Sequence, residues 1–121
     1  MKKDIIDSLY YHSKRHRDGK WFVPAVVALL QIDGTQKYEQ VINSAYKLIP
    51  VLDAEIYNRF QGVYNKIEDW VEYTKITPMR NRPETSMIAD TVDTTKLAQR
   101  CVELGEIKYK KINQHVYVFK V

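Results

Sequence analysis

Between Asp93 and Gly105 the chain carries both ends of a helix, and beyond Gly105 its hydrophobic period changes. Asp93 suits an N-cap because its carboxylate accepts from otherwise unpartnered first-turn N–H groups. Gly105 tolerates the left-handed backbone of a C-terminal cap. Leu97, Ala98, Cys101 and Leu104 fall at helical spacing as one apolar stripe, with Lys96, Gln99, Arg100 and Glu103 on the other side. After Gly105 the period becomes two. Ile107 and Tyr109 alternate with Lys108 and Lys110, and Val116-Tyr117-Val118-Phe119 returns as a β-rich run after Asn113-Gln114. The pattern predicts a short helix over 87–92, a helix over 94–104 and a hairpin over 106–121. The expected fold is mostly α with a small C-terminal β-hairpin.

The preceding residues read as helices. Ile5, Ile6, Leu9 and Tyr10 share a face of a helix over 4–18 that ends at Gly19. Pro24 opens a second helix over 24–32, apolar almost all round and therefore buried. Asp33-Gly34 stops it, and Thr35 caps a third whose stripe runs from Tyr38 to Ile49 before Pro50 breaks the chain. Asp53 then caps the longest expected helix, over 54–75. Ile56, Phe60, Val63, Ile67, Trp70 and Thr74 recur there at spacings of four and three, a seam that predicts partner docking through Phe60, Ile67 and Trp70 or through the acidic opposite face of Glu55, Asp69 and Glu72. Residues 76–83 read as a basic connector with Arg80, Arg82 and a possible short strand at Ile76. The expected organisation is a helical module over 1–52 and a second module over 53–121. One compact domain over 1–121 is the alternative.

A net charge of +4 on 121 residues is unevenly spread. Residues 1–50 carry 8 Lys/Arg against 5 Asp/Glu, residues 51–78 carry 3 against 5, and residues 79–121 carry 8 against 5. Two basic ends flank an acidic centre, which suits a phosphate backbone or an acidic protein partner. No apolar run is long enough for a membrane span, and no signal-peptide core follows the basic start at Met1-Lys2. The single cysteine, Cys101, lies on an apolar helix face and reads as a buried thiol of a reducing cytoplasm.

Catalytic chemistry is not marked. The four glycines are scattered singly, so no loop can cradle a phosphate with clustered backbone N–H groups, and no nucleophile elbow is present. His12 and His16 share a helix face at metal-pair spacing. Lys14, Arg15 and Arg17 argue against a cation there, and no third ligand is marked. No metal and no cofactor is expected, and the protein reads as no enzyme. The basic cluster Lys14 to Lys20 is followed by Trp21 and Phe22, which serve either as stacking surfaces for bases or as core. The nine tyrosines suit interfaces and core edges alike.

The run SMIADTVDTTKLAQRCVELGEIKYKKINQHVYVFKV resembles the winged-helix family of DNA-binding domains, and in pattern the winged-helix tails of phage and plasmid replication proteins. It departs from many helix-turn-helix units in having Val92-Asp93, not Gly, at the turn. The resemblance implies a recognition helix over 94–104 with Thr95, Lys96, Gln99 and Arg100 facing nucleic acid. It also implies a wing carrying Lys108, Lys110 and Lys111, with Arg80 and Arg82 adding phosphate contacts. The implied protein is a cytoplasmic accessory factor of a phage or mobile element. It binds single- or double-stranded DNA and assists a replication enzyme such as a polymerase, primase or helicase. The alternative is a protein-interaction module or phage-type inhibitor using a winged helix without DNA contact.

Overall fold

The computed structural model describes residues 3–121, so Met1 and Lys2 of the basic start lie outside the described residues. The chain is mostly helical with a small three-stranded sheet that its last two strands complete, a winged-helix-like arrangement. It divides into two compact units, Met1–Gln61 and Gly62–Val121.

In the first unit α1 (Lys3–Ser13), α2 (Phe22–Asp33) and α3 (Ala45–Arg59) pack on one another. Ile5 and Leu9 of α1, Ala25 and Leu29 of α2, and Leu52 and Ile56 of α3 are buried. Gly34 ends α2 at φ +80, its N–H on the Leu30 carbonyl at 2.8 Å. α1 is shorter than the predicted 4–18. The Ser13 hydroxyl donates to the Tyr10 carbonyl at 2.6 Å, and tight turns carry the chain to Gly19 at φ +51. The third expected helix, up to Ile49, is also corrected. Gln36–Tyr38 is a single tight turn that buries Tyr38, and the helix proper starts after Ser44, whose backbone is extended.

α3 then runs straight through Pro50. The proline removes one hydrogen bond, and the carbonyl it leaves belongs to Tyr46, which is largely exposed to water. Burial of Leu48, Leu52 and Ile56 on one face outweighs that loss.

The long helix over 54–75 does not form. The chain leaves the helix after Arg59 and forms β1 (Phe60–Tyr64). Gly62 sits there at φ +114, a conformation that L side chains rarely adopt, within a run of β-favouring Phe60, Val63 and Tyr64. The Phe60–Ile67–Trp70 seam therefore does not exist as a helix face. α4 (Ile67–Val71) continues through a wide turn at Glu72–Ile76 into α5 (Thr77–Arg80), so the predicted connector is helical to Arg80, and Ile76 is buried in that turn rather than in a strand. The wide turn is marked by the Thr74 hydroxyl donating to the Trp70 carbonyl at 2.6 Å.

The end of the chain keeps its expected order, with the short helix closing at Ala89 rather than at Val92. α6 (Ser86–Ala89) and α7 (Thr94–Glu103) precede β2 (Ile107–Ile112) and β3 (His115–Lys120). The strand order is β1-β3-β2, with β2 and β3 antiparallel. β3 is the middle strand, and Val116, Tyr117, Val118 and Phe119 are all buried, so both of its faces are covered. Trp70, Val71, Ile76, Cys101, Ile107 and Val118 are central to the core of this unit. No helix among the described residues is long and apolar enough to cross a membrane.

Candidate nucleic-acid interface

α7 is placed by its ends. The Asp93 carboxylate accepts the Lys96 backbone N–H at 3.1 Å, and Gly105 follows the helix at φ +75. Ala98 and Cys101 are buried and Leu97 packs against the core, which turns Lys96, Gln99 and Arg100 outward to solvent. One expectation of the stripe fails. Leu104 is 66% exposed, because the helix closes at Glu103 and the chain turns away towards β2 before that position reaches the core.

Glu106 anchors this turn. Its backbone N–H donates to the Cys101 carbonyl at 3.0 Å, and its carboxylate accepts from Lys75 Nζ at 2.5 Å. The Lys75 hydrogen bond is the main reason its carboxyl is held below the ordinary value, ahead of the opposing effect of burial. Burial pushes the Cys101 thiol up, with its hydrogen bond to Glu106 acting in the same direction, which disfavours the nucleophilic thiolate.

The hairpin turns through Asn113 and Gln114 at φ 50 and 71, the left-handed pair of a two-residue turn matched to strand twist. Opposite pairs include Lys108 with Phe119 and Lys110 with Tyr117, whereas Lys111 faces Val116. Lys108 and Lys110 therefore share one face of the edge strand, and Lys111 lies on the other beside Tyr109. Residues 108–111 are all exposed, so three lysines crowd a strand with no neighbour on its outer side among the described residues.

Between α4, α7 and β2 lies a groove of about 500 Å³ lined in part by Glu68, Thr95, Gln99, Glu103 and Tyr109. The Thr95 hydroxyl donates to Glu68 at 3.2 Å and so faces a carboxylate, not open solvent alone. Arg100 lies 3.7 Å from Glu103 on the same helix. Its charged lining residues are both carboxylates, Glu68 and Glu103, so the groove itself is acidic, and the exposed positive residues, Lys96 and the lysines of β2, lie outside its lining.

The remaining predicted residues separate. Arg80 donates to both Glu72 and Asp90, reaching the latter at 3.0 Å, and this pairing raises its already high pKa. It is fully engaged within the chain. Arg82 is exposed in the turn after α5. Trp70, at 3% exposure, is spent in the core of the second unit, Ile67 packs against that core, and Phe60 is half-buried in β1.

Of the basic cluster in the first unit, Arg15 stacks on Tyr11, Arg17 on Tyr57 and Lys20 on Trp21, at 5.3, 4.6 and 5.0 Å. Phe22 is core. A carboxylate that the sequence pattern did not pair with the histidines, Asp53, comes within hydrogen-bond reach of His16. Its spacing from His12 and His16 carries no local signal, because the pairing is made by helix packing.

Comparison with known protein families, with curated proteins and with solved structures finds no match.

Proposed function

We propose that the protein is a non-catalytic nucleic-acid-binding accessory factor, in which α7 and the β2–β3 hairpin meet a phosphate backbone. The observation that carries this reading is the exposed set Lys96, Gln99 and Arg100 on a well-capped helix, followed by three lysines on the edge strand of the adjoining hairpin. Phosphate contacts of this kind contribute affinity without reading sequence. Gln99, on the groove wall, is the residue best suited to a base edge. The winged-helix resemblance extends the reading to the cytoplasm and to a replication enzyme of a phage or mobile element as protein partner.

A second reading, a protein-interaction module, draws on Met87 at 89% exposure together with exposed Ile88, Val102 and Leu104. Salt separates the two. Replacing Lys108, Lys110 and Lys111 with Ala together should flatten the plot of log affinity against log salt by about 2 to 3, since each lost phosphate contact contributes roughly 0.7 to 0.9. An unchanged slope and affinity, in a variant that keeps its fold, would hand the argument to the interaction module.

A further inference from the structure

We infer that His12, His16 and Asp53 form a binding site for a divalent first-row transition ion of the zinc type. One ligand atom from each residue lies within 4.8 Å of the others. His16 Nε2 is 2.5 Å and His12 Nε2 3.6 Å from the same oxygen, Asp53 Oδ1. Zinc bonds of about 2.0–2.2 Å in a tetrahedron set ligand atoms roughly 3.3 Å apart, so small side-chain rotations of α1, the following turn and α3 suffice. Two imidazoles and one carboxylate are the donor set that zinc and its neighbours take, and three protein ligands leave a position open.

Two buried polar atoms without hydrogen-bond partners point the same way. One is His12 Nε2, and the other is Asp18 Oδ2. The second lies 3.6 Å from His16 Nδ1. As the chain stands, His16 Nδ1 accepts the Asp18 backbone N–H at 3.0 Å, so the ring proton is on Nε2 and is donated to Asp53. Binding an ion at Nε2 displaces that proton to Nδ1, where Asp18 Oδ2 accepts it. The ring remains neutral, no net proton is released, and the Asp18 amide gives up its acceptor. Both orphaned atoms gain partners, and the outcome is a carboxylate–histidine–metal chain.

The surroundings support the set. Phe22 lies against both imidazoles, with ring centres 5.1 Å from His12 and 4.3 Å from His16, which fixes their positions. The His16 side chain is only 6% exposed. His12 and Asp53 border a groove of about 440 Å³ that provides an entry path. Of the cations that argue against a metal in the sequence, Arg15 stacks on Tyr11 and Arg17 on Tyr57, and Arg17 also lies 3.5 Å from Asp18 Oδ2. Asp53 and Asp18 together balance a charge of two.

The test is titration of the purified chain with zinc chloride, read by calorimetry and by the ¹⁵N shifts of the imidazoles. One zinc per chain is expected, with His16 changing from the Nε2–H to the Nδ1–H tautomer on saturation. Asp18→Ala should weaken binding by about 10- to 100-fold, and His12→Ala or Asp53→Asn should weaken it further. Absence of stoichiometric binding, affinity unchanged in Asp53→Asn, or His16 still protonated at Nε2 in saturating zinc would each overturn the assignment. The tautomer readout uses the unmodified chain, so the inference stays testable if a variant fails to fold.

Discussion

α3 and α7 each bury one side, Leu48, Leu52 and Ile56 in the first and Ala98 and Cys101 in the second, yet they are held in different ways. α7 has both ends fixed by its own residues, the Asp93 carboxylate on the Lys96 N–H and the left-handed Gly105. α3 has no side-chain cap at Ser44, contains Pro50, and ends where the backbone turns extended at Phe60. Its continuity comes from Leu48, Leu52 and Ile56, all fully buried, and from Arg59 reaching Asp33 of α2 through two hydrogen bonds at 2.6 and 3.3 Å. A helix built on caps keeps its bounds in isolation from packing energy. A helix built on packing owes its bounds to neighbours distant in sequence.

The largest effect should therefore come from truncating α3. Ile56→Ala removes a fully buried side chain and should lower unfolding free energy by about 2–5 kcal/mol. Leu104→Ala, just beyond α7, should change it by less than about 0.5 kcal/mol because that side chain is exposed. Urea denaturation of the two variants checks both. Equal losses would break the contrast between the helices.

Next in size is Arg59→Ala. The Asp33 side chain is only 9% exposed and would lose both hydrogen bonds from Arg59, at 2.6 and 3.3 Å. Taking that guanidinium away from a mostly buried carboxylate should cost about 3 kcal/mol. The phenol of Tyr38 lies in the same environment, where burial first, then Glu55 and Asp33, push its pKa up to about 12. Arg59 acts to lower it, so loss of Arg59 should move the alkaline absorbance transition of Tyr38 higher still.

The same contrast explains what could be read from the residues. α7, Gly105 and the hairpin were legible because each boundary is written within a few residues of itself. α2 was legible because it is apolar almost all round. The predicted helix over 54–75 failed because its spacing was periodic while the backbone turns extended at Phe60 and Gly62 sits at φ +114. Pro50 failed as a breaker because tertiary burial outweighed one hydrogen bond. In the candidate interface, Lys96, Gln99, Arg100 and the three lysines are exposed as predicted, whereas Arg80 is engaged by Glu72 and Asp90, partners its own stretch does not reveal. Asp53 beside His16 is of the same kind.

A smaller effect tests the cap itself. Asp93→Ala should cost about 1 kcal/mol, within the range of roughly 0.5–2 for lost N-caps, and should fray the first turn of α7. Amide exchange at Thr95, Lys96 and Leu97 would rise, with little change in α3. If the exchange rates of α7 stayed as they were, its bounds would owe more to packing against α4 than to its own ends.

The smallest expected effect is pH dependence, and it compares the two units through one glutamate each. For Glu55, burial raises the pKa, but hydrogen bonds from Lys37 and Arg59 outweigh it and the net direction is downward. For Glu106, the Lys75 hydrogen bond is the largest influence and the direction is again downward. A carboxylate whose folded pKa lies below its unfolded value of about 4.5 binds fewer protons folded than unfolded around that pH. Its contribution is therefore complete above the unfolded pKa and is lost as pH falls through the folded one. Both units should lose stability on acidification below about pH 4.5 and gain nothing from these groups between pH 6 and 8. Glu106 is 42% exposed at its side chain and solvent screens its pairing with Lys75, so its share should be the lesser. Urea midpoints of Glu55→Gln and Glu106→Gln at pH 6.5 and 3.5 separate the two. Glu55→Gln should shrink the acid sensitivity more, because its partner Arg59 also ties α3 to α2. A larger change from Glu106→Gln would mean that the turn after α7 depends on its ion pair as heavily as α3 depends on its core.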